Sequence, residues 1–500
     1  MRSILAIFAL ALSFALAPPP ADALEAAELE AEVEDLLAKA RLFLAPVTVE
    51  GGPFTVEPEG AGFRLTLPDL AIYDAADRRR FAIGTLSMLV TEPATGLYGL
   101  DDLRLPDRMV VMEGAEQVGW IALDLERWSG VYSTALQEFL QLDFLARSFE
   151  VRVPRERLLI GAGRMAAWIA TVPEHDAGVA TGYQRQRQYA SVADLVMADD
   201  EGTLEIDSIF ADGAVDGFDL RLYETLLAVI GDVETAAAQG DQSRMAALRQ
   251  AVAEAAAIAS SFGGGMRLAG IEAYDALGGS TFRLDALNLS MALQTPRDSA
   301  FGSAVLALSG GGLAIDPASS PEVAPYVDLL PQRWSIPLAI EHLPLDALAQ
   351  SLADLVVASA NPLLDPEGQL RGIGNTVLSA LGTAGSYLIV RDLFVESSLL
   401  RLDSKASLAF SPAVDLGVVG NLAITLSGLD RVLALAEGMS DPDAKRLLSA
   451  VVLGMMGVGQ AVALPDGRVG YRFSFFFAPD GTVQMNGFSF GDLLNNAIPQ

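Results

Sequence analysis

The sequence predicts an α+β protein dominated by a long twisted antiparallel β-sheet, a meander able to form a groove, with several helices packed against its ends and one face. Two observations carry that prediction: apolar residues alternate with polar ones along most of the chain, and Asp-, Gly- and Pro-rich turns punctuate the alternation. A third, the return of a helical period in a few separate segments, supplies the helices.

Element by element, residues 24–44 predict an amphipathic helix, with Leu29, Val33, Leu36, Leu37, Ala40 and Leu44 on one stripe and an acidic start that suits the helix dipole. Gly51-Gly52-Pro53 ends it, and the period then becomes two. Phe63, Leu65 and Leu67 alternate with Arg64 and Thr66, and Ile121, Leu123 and Leu125 with Ala122 and Asp124. The same holds for Leu204 and Ile206, for Phe282 and Leu284, and for Leu289, Met291 and Leu293, all read as half-buried antiparallel strands. Glu57-Pro58-Glu59-Gly60, Asp200-Glu201-Gly202, Asp212-Gly213 and Pro479-Asp480-Gly481 read as turns between strands. Helical periods return around Thr134 to Phe149, Gln242 to Phe262 and Leu345 to Val357.

A degenerate unit recurs at unequal spacing. Alternation at Phe218, Leu220 and Leu222 leads into helix through Leu226 and Val229; Trp334, Ile336, Leu338 and Ile340 lead into Leu345, Leu348 and Leu352; Leu422, Ile424 and Leu426 lead into Leu429, Val432 and Leu433. Each copy is a strand delivering a short helix onto a sheet, and the unequal spacing argues against a solenoid of equal repeats. Tyr471, Phe473, Phe475 and Phe477 share one strand face, Val483 and Met485 return, and Asn486-Gly487 offers a further tight turn before Phe488.

Composition and the first residues bound what such a protein does. Arg2, the apolar run from Ile4 to Ala17 and the Ala21-Asp22-Ala23 site read as a signal peptide over residues 1–23, cleaved after Ala23; the run is shorter than the roughly 20 residues that span a bilayer. The expected address is the periplasm, with no stable transmembrane segment after cleavage. A cysteine count of zero removes thiolate nucleophiles, thiolate metal sites, disulfides and a lipoprotein anchor. A net charge of −31 argues against nucleic acid as a partner. The expected organisation is therefore the leader, an N-terminal helical segment over 24–50, a β-rich region with helices over 51–262 and a second β-rich region over 263–500. Within the latter, Leu447 to Leu464 reads as a buried helix running into a glycine-rich connection, not as a membrane span.

The Leu422-x-Ile424-x-Leu426 strand, the Gly428-Leu429-Asp430 helix entry, the apolar helix through Met455 and the closing Asp480-Gly481-Thr482-Val483 with Met485-Asn486-Gly487 resemble bacterial AsmA-like and YdgA-like envelope proteins. The pattern is closest to an alphaproteobacterial periplasmic family built on a domain of unknown function. The resemblance covers residues 330–490 well and the earlier strands loosely. It implies a curved antiparallel sheet with an apolar concave side and a role in envelope lipid homeostasis or transfer. It assigns no catalytic residue, and the chain departs from those relatives in lacking a retained N-terminal membrane helix and their length.

Nothing in the residues specifies a reaction, so a non-enzymatic protein without cofactor or metal is expected. His175, in Glu174-His175-Asp176, reads as a solvated loop residue, and His342, before Leu343-Pro344, as a strand-end packing residue; their separation does not make a metal centre. No Gly-x-Ser-x-Gly elbow is present, and Gly263-Gly264-Gly265 and Gly310-Gly311-Gly312 lack the lysine of a phosphate loop and read as turns or bends. Asp441-Pro442-Asp443 and Asp365-Pro366-Glu367 are at most weak ion holders. The expected activity is binding or carrying apolar envelope ligands, lipids above all; the alternative is a structural or assembly factor that binds envelope proteins along a sheet edge. The expected ligand groove is the strand face of Trp334, Ile336, Leu338, Leu422, Ile424, Leu426, Phe473, Phe475 and Phe477, with plain core packed beneath helices as the competing reading.

Overall fold

The computed structural model describes residue 29 and residues 47–490, apart from 75–78, 95, 134–135, 137, 177–178, 224, 226–246, 248–249, 251–257, 278, 297–298, 321 and 352–365. The leader, most of the 24–44 helix, most of the 242–262 helix and Asp365 lie outside the described residues. Strand dominates the described residues and helices are few, so the α+β expectation resolves into a mostly antiparallel β protein. The chain divides into two compact units, Met1–Phe218 with Arg267–Ser280, and Asp219–Met266 with Thr281–Gln500.

In the first unit, long strands alternate with broken ones. β1 (Val47–Glu50) and β2 (Thr55–Glu59) share one edge of β3 (Gly62–Asp74). β4 (Arg79–Ala94) follows, then β5 (Leu97–Arg104) and β6 (Met109–Glu113) together fill the space between β4 and β7 (Glu116–Ser133). Next comes β8 (Glu138–Val153), paired with both β9 (Leu158–Ala162) and β10 (Met165–Asp176), and these two pair with β11 (Val179–Ala198). β12 (Gly202–Asp219) lies beside β11, where Tyr189 stacks on Phe210 and Arg187 pairs with Asp216. The breaks fall at Gly51-Gly52-Pro53, Pro106 and Gly163, residues that remove a ladder donor or weaken a strand interior. Leu65, Leu67, Leu70, Ile72, Leu86, Met88, Ile121 and Leu142 bury one face, and the helical Leu29 packs into the same core. The other face is not uniformly open: Arg64 is buried there, its guanidinium donating to both Glu59 oxygens and to Asp102.

In the second unit, β13 (Ser261–Asp275, its residues 261–266 here) and β14 (Ser280–Gln294) precede β15 (Phe301–Gly311), with β16 (Ala314–Ile315) extending the same edge of β14. The meander continues through β17 (Arg333–Pro344), β18 (Tyr387–Glu396), β19 (Arg401–Phe410), β20 (Val418–Ser427) and β22 (Val469–Phe477). The far edge of β22 is shared by β21 (Gln460–Ala463) and β23 (Val483–Met485), and β24 (Phe488–Ser489) closes on β23. Helices α1 (Pro366–Ala384), α2 (Leu429–Gly438) and α3 (Pro442–Val458) interrupt the strands. A strand passes into a helix at all three places, since helix begins at Leu220, Leu345 and Leu429 directly or one residue after a strand, while Leu226, Val229 and Leu352 lie outside the described residues.

Several expectations change. Thr134 to Phe149 is not a helix: residues 138–149 belong to β8. Bulges opposite β7 at Leu140 and Arg147 shift the side-chain phase, so Phe139 and Leu142, and Ala146 and Phe149, fall three apart on one face, while Leu145 is buried on the other; together they imitate a helical stripe. Leu220 and Leu222 are helical rather than extended, because β12 stops at Asp219, whose carboxylate accepts from the backbone N–H of Arg221 and Leu222 as a cap. Asp212-Gly213 and Gly263-Gly264-Gly265 lie inside β12 and β13 and do not turn the chain; Gly310 and Gly311 lie inside β15, with Gly312 at φ 72°. Gly310 is small because a Cβ there would sit 2.2 Å from the Trp334 ring. His175 is an exposed residue of β10, not a loop residue. His342 is the extra residue of a strand-end bulge, at φ 58° with its ring against Phe301 and Tyr387. The helix expected over 447–464 is α3, ending at Val458 with Gly459 as its C-cap, but it buries only Val452 fully; Leu447 and Leu453 are 69% and 55% exposed. Asp441 is committed to capping α3, accepting from the N–H of Asp443 and Ala444, and among the described residues no cluster of His, Asp and Glu is arranged to hold a metal. No described helix is long and apolar enough to cross a membrane.

Candidate functional site: an apolar trough in the first unit

The buried face of the first unit continues past its packed core into a cavity of about 540 Å³. Four rungs of paired residues build its floor. Leu123 pairs with Phe149; Leu125 with Ala146, then Met165 and Val192; Trp128 with Phe144, then Ala167 and Ala190; Gly130 with Leu142, then Ile169 and Gln188. Antiparallel partners project to the same face, so the registers place these side chains together. The space arises where the alanines Ala167 and Ala190 stand beside Phe144, whereas the room beside Gly130 is taken by the Phe139 ring. Leu86, Met88 and Met109 contribute from β4 and β6, and Ala211–Gly213 from β12. Among the described residues, the only charged one lining the cavity is Asp212.

One rung beyond Ile169–Gln188, on the same strand faces, Thr171 pairs with Gln186, both buried and outside the cavity lining. The Gln186 side-chain amide donates to Glu138 Oε2 at 3.0 Å and to Thr171 Oγ1 at 3.2 Å, and Thr171 donates to the carbonyl of Phe139, itself a wall of the cavity. Burial pushes the Glu138 carboxyl up to about 7, opposed by the hydrogen bond from Gln186, and no charged neighbour contributes. The apolar trough therefore lies next to a buried hydrogen-bonded cluster that does not itself line it.

The nine residues expected to form a groove lie in the second unit and do share one face of one sheet. Its registers run Met291, Leu306, Leu338, Val390, Ala406, Leu422, Phe475, Met485 in one row and Ala304, Ile340, Leu388, Leu408, Gly420, Phe477, Val483 in the next. Trp334 reaches Leu426 through Val395 and Leu402, and Ile424 opposes Phe473. At the β20–β22 end this face is core: Leu426 and Phe473 are buried with Leu429, Val432 and Val452 of α2 and α3, and Ile424 and Phe475 pack on them. Trp334, Ile336, Leu338, Leu422 and Phe477 are half-buried. The face opens only towards β14 and β15, where Met291 and Leu306 are 59% and 45% exposed.

The trough of the first unit is not legible in the sequence, because the spacing over 134–149 reads as a helix and so hides the strand face of Phe139, Leu142 and Phe144, and because Ala167 and Ala190 carry little hydrophobic signal. The alternation Met165-x-Ala167-x-Ile169 beside Gln188-x-Ala190-x-Val192 was the signal available. No protein-family model matches the chain, and a search of curated proteins finds no match.

Proposed function

We propose that this chain is an exported, non-enzymatic binder or carrier of apolar envelope ligands, lipids above all, in keeping with the AsmA-like resemblance of its C-terminal pattern. The observation that supports the reading is the trough: about 540 Å³ of apolar space falls within the range of small-molecule sites, and a single charged lining residue leaves little for polar substrates. Burying an acyl chain of about 14 carbons contributes on the order of 10 kcal/mol at roughly 0.8 per methylene before ordering costs, enough for micromolar binding. The test is organic extraction and mass spectrometry of the purified mature protein, compared with Ala167→Phe, which fills the floor beside Phe144. Co-purified lipid that the variant lacks supports the reading; lipid-free protein, or lipid unchanged by the variant, overturns it.

A role as an assembly factor for envelope proteins draws on the exposed Leu289, Met291 and Leu306 at the open end of the second sheet face. Met291→Asp with retained lipid and a lost protein partner would favour it.

A further inference from the structure

We infer that Gln188 holds the head of the trough's ligand, and that this head is uncharged and hydrogen-bonding: a hydroxyl, amide or ester on an aliphatic chain. The inference rests on the trough being a lipid site, and Gln188 is itself part of the lining. In the row Gly130, Leu142, Ile169 and Gln188, the Phe139 ring fills the room at the Gly130 end, whereas Gln188 stands at the opposite end, where it and Ala190 are exposed. A chain that enters with its apolar end first leaves its head at this exposed end. Gln188 shares its strand face with Ala190 and Val192 of the floor, while Tyr189 alternates to the other side of the sheet, its ring stacked on Trp168 and Phe210. Glycine at position 213 makes room for the amide, since a Cβ there would lie 2.8 Å from Gln188 Nε2 and 3.0 Å from its Cγ. Among the described residues nothing hydrogen-bonds the Gln188 side chain, so its N–H donors and its carbonyl are all open to a ligand. No lysine, arginine or histidine among the described residues lines the trough to pair with a phosphate or carboxylate, and the neighbouring Asp212 adds repulsion.

Displacement of Nile red at pH 8 by 1-decanol, decanoate and decane tests this on the wild-type protein and on Gln188→Met, which keeps the length of the side chain and removes its hydrogen bonds. At so exposed a position the variant should fold with the stability of the wild type. Its affinity for 1-decanol is expected to fall about tenfold, the equivalent of one lost hydrogen bond, with decane unchanged. The wild-type protein is expected to hold 1-decanol more tightly than decanoate. A decanol affinity that Gln188→Met leaves untouched, or lowers only as much as that for decane, overturns the inference, and so does decanoate binding to the wild type as tightly as decanol. Should the variant not fold, the wild-type order of decanol and decanoate decides alone. If none of the three chains displaces the dye, the lipid reading itself fails, a result distinct from displacement that is indifferent to Gln188.

Discussion

Glu138 shows what one buried side chain does to this protein. Its folded carboxyl titrates near 7, above its ordinary 4.5, so the folded state binds a proton more tightly than the unfolded chain. Below pH 4.5 both states are protonated and nothing is lost; between 4.5 and 7 the unfolded chain ionises first and stability falls; above 7 it levels off. The full loss is about 3 kcal/mol, and Glu138→Gln should flatten this limb in urea titrations at pH 4.5, 6 and 8. A variant that keeps the wild-type slope would assign the pH dependence elsewhere. Gly310 makes a steric case: because a Cβ at that position overlaps the Trp334 ring, Gly310→Ala should cost about 1–3 kcal/mol and shift the tryptophan emission. An unchanged spectrum and melting point would mean that the ring has room to move.

Among the elements, α3 separates apolar composition from burial. Val452 is enclosed with Phe473 and Leu429, whereas its neighbour Leu453 faces away from the sheet. Val452→Asp should therefore cost about 3 kcal/mol or more by burying an unpaired carboxylate, and Leu453→Asp less than about 0.5. Thermal melts of the two variants check this, and equal losses would show that the outer face of α3 is covered in solution. Phe475 lies on β22 against the same cluster and 6.0 Å from the Phe490 ring, so Phe475→Asp should also be barely folded. β8 carries the converse lesson. Its two bulges against β7 convert a period of two into spacings of three, and a strand two bulges long cannot be told from a helix by spacing alone.

At the scale of the whole chain, two β-rich units each bury one sheet face, and they use it differently. The second covers one end of its face with α2 and α3; the first leaves part of its face as a trough. The high strand content predicts a circular dichroism spectrum dominated by β-structure, and a helix-dominated spectrum would refute the fold. The excess of acidic residues keeps so apolar a chain dispersed through self-repulsion. Export is tested by the N-terminus of the mature protein: mass spectrometry should find it near Leu24, and an intact Met1 in the exported protein would refute cleavage.

The sequence by itself determined the antiparallel meander, most of its turns, the three strand-to-helix transitions and the shared face of Trp334, Leu422 and Phe475. Each is a local property: alternation sets which side a residue faces, and Asn486-Gly487 or Pro479-Asp480-Gly481 adopts its turn whatever surrounds it. Only the tertiary structure decided which apolar face is core and which is cavity. That depends on how much side-chain volume four or five strands bring to one rung, as when Ala167 and Ala190 meet Phe144, and on whether a helix distant in sequence lies over the rung. Hydrophobic character is the same in both cases, and cavity volume is a sum over strands that no single strand reveals.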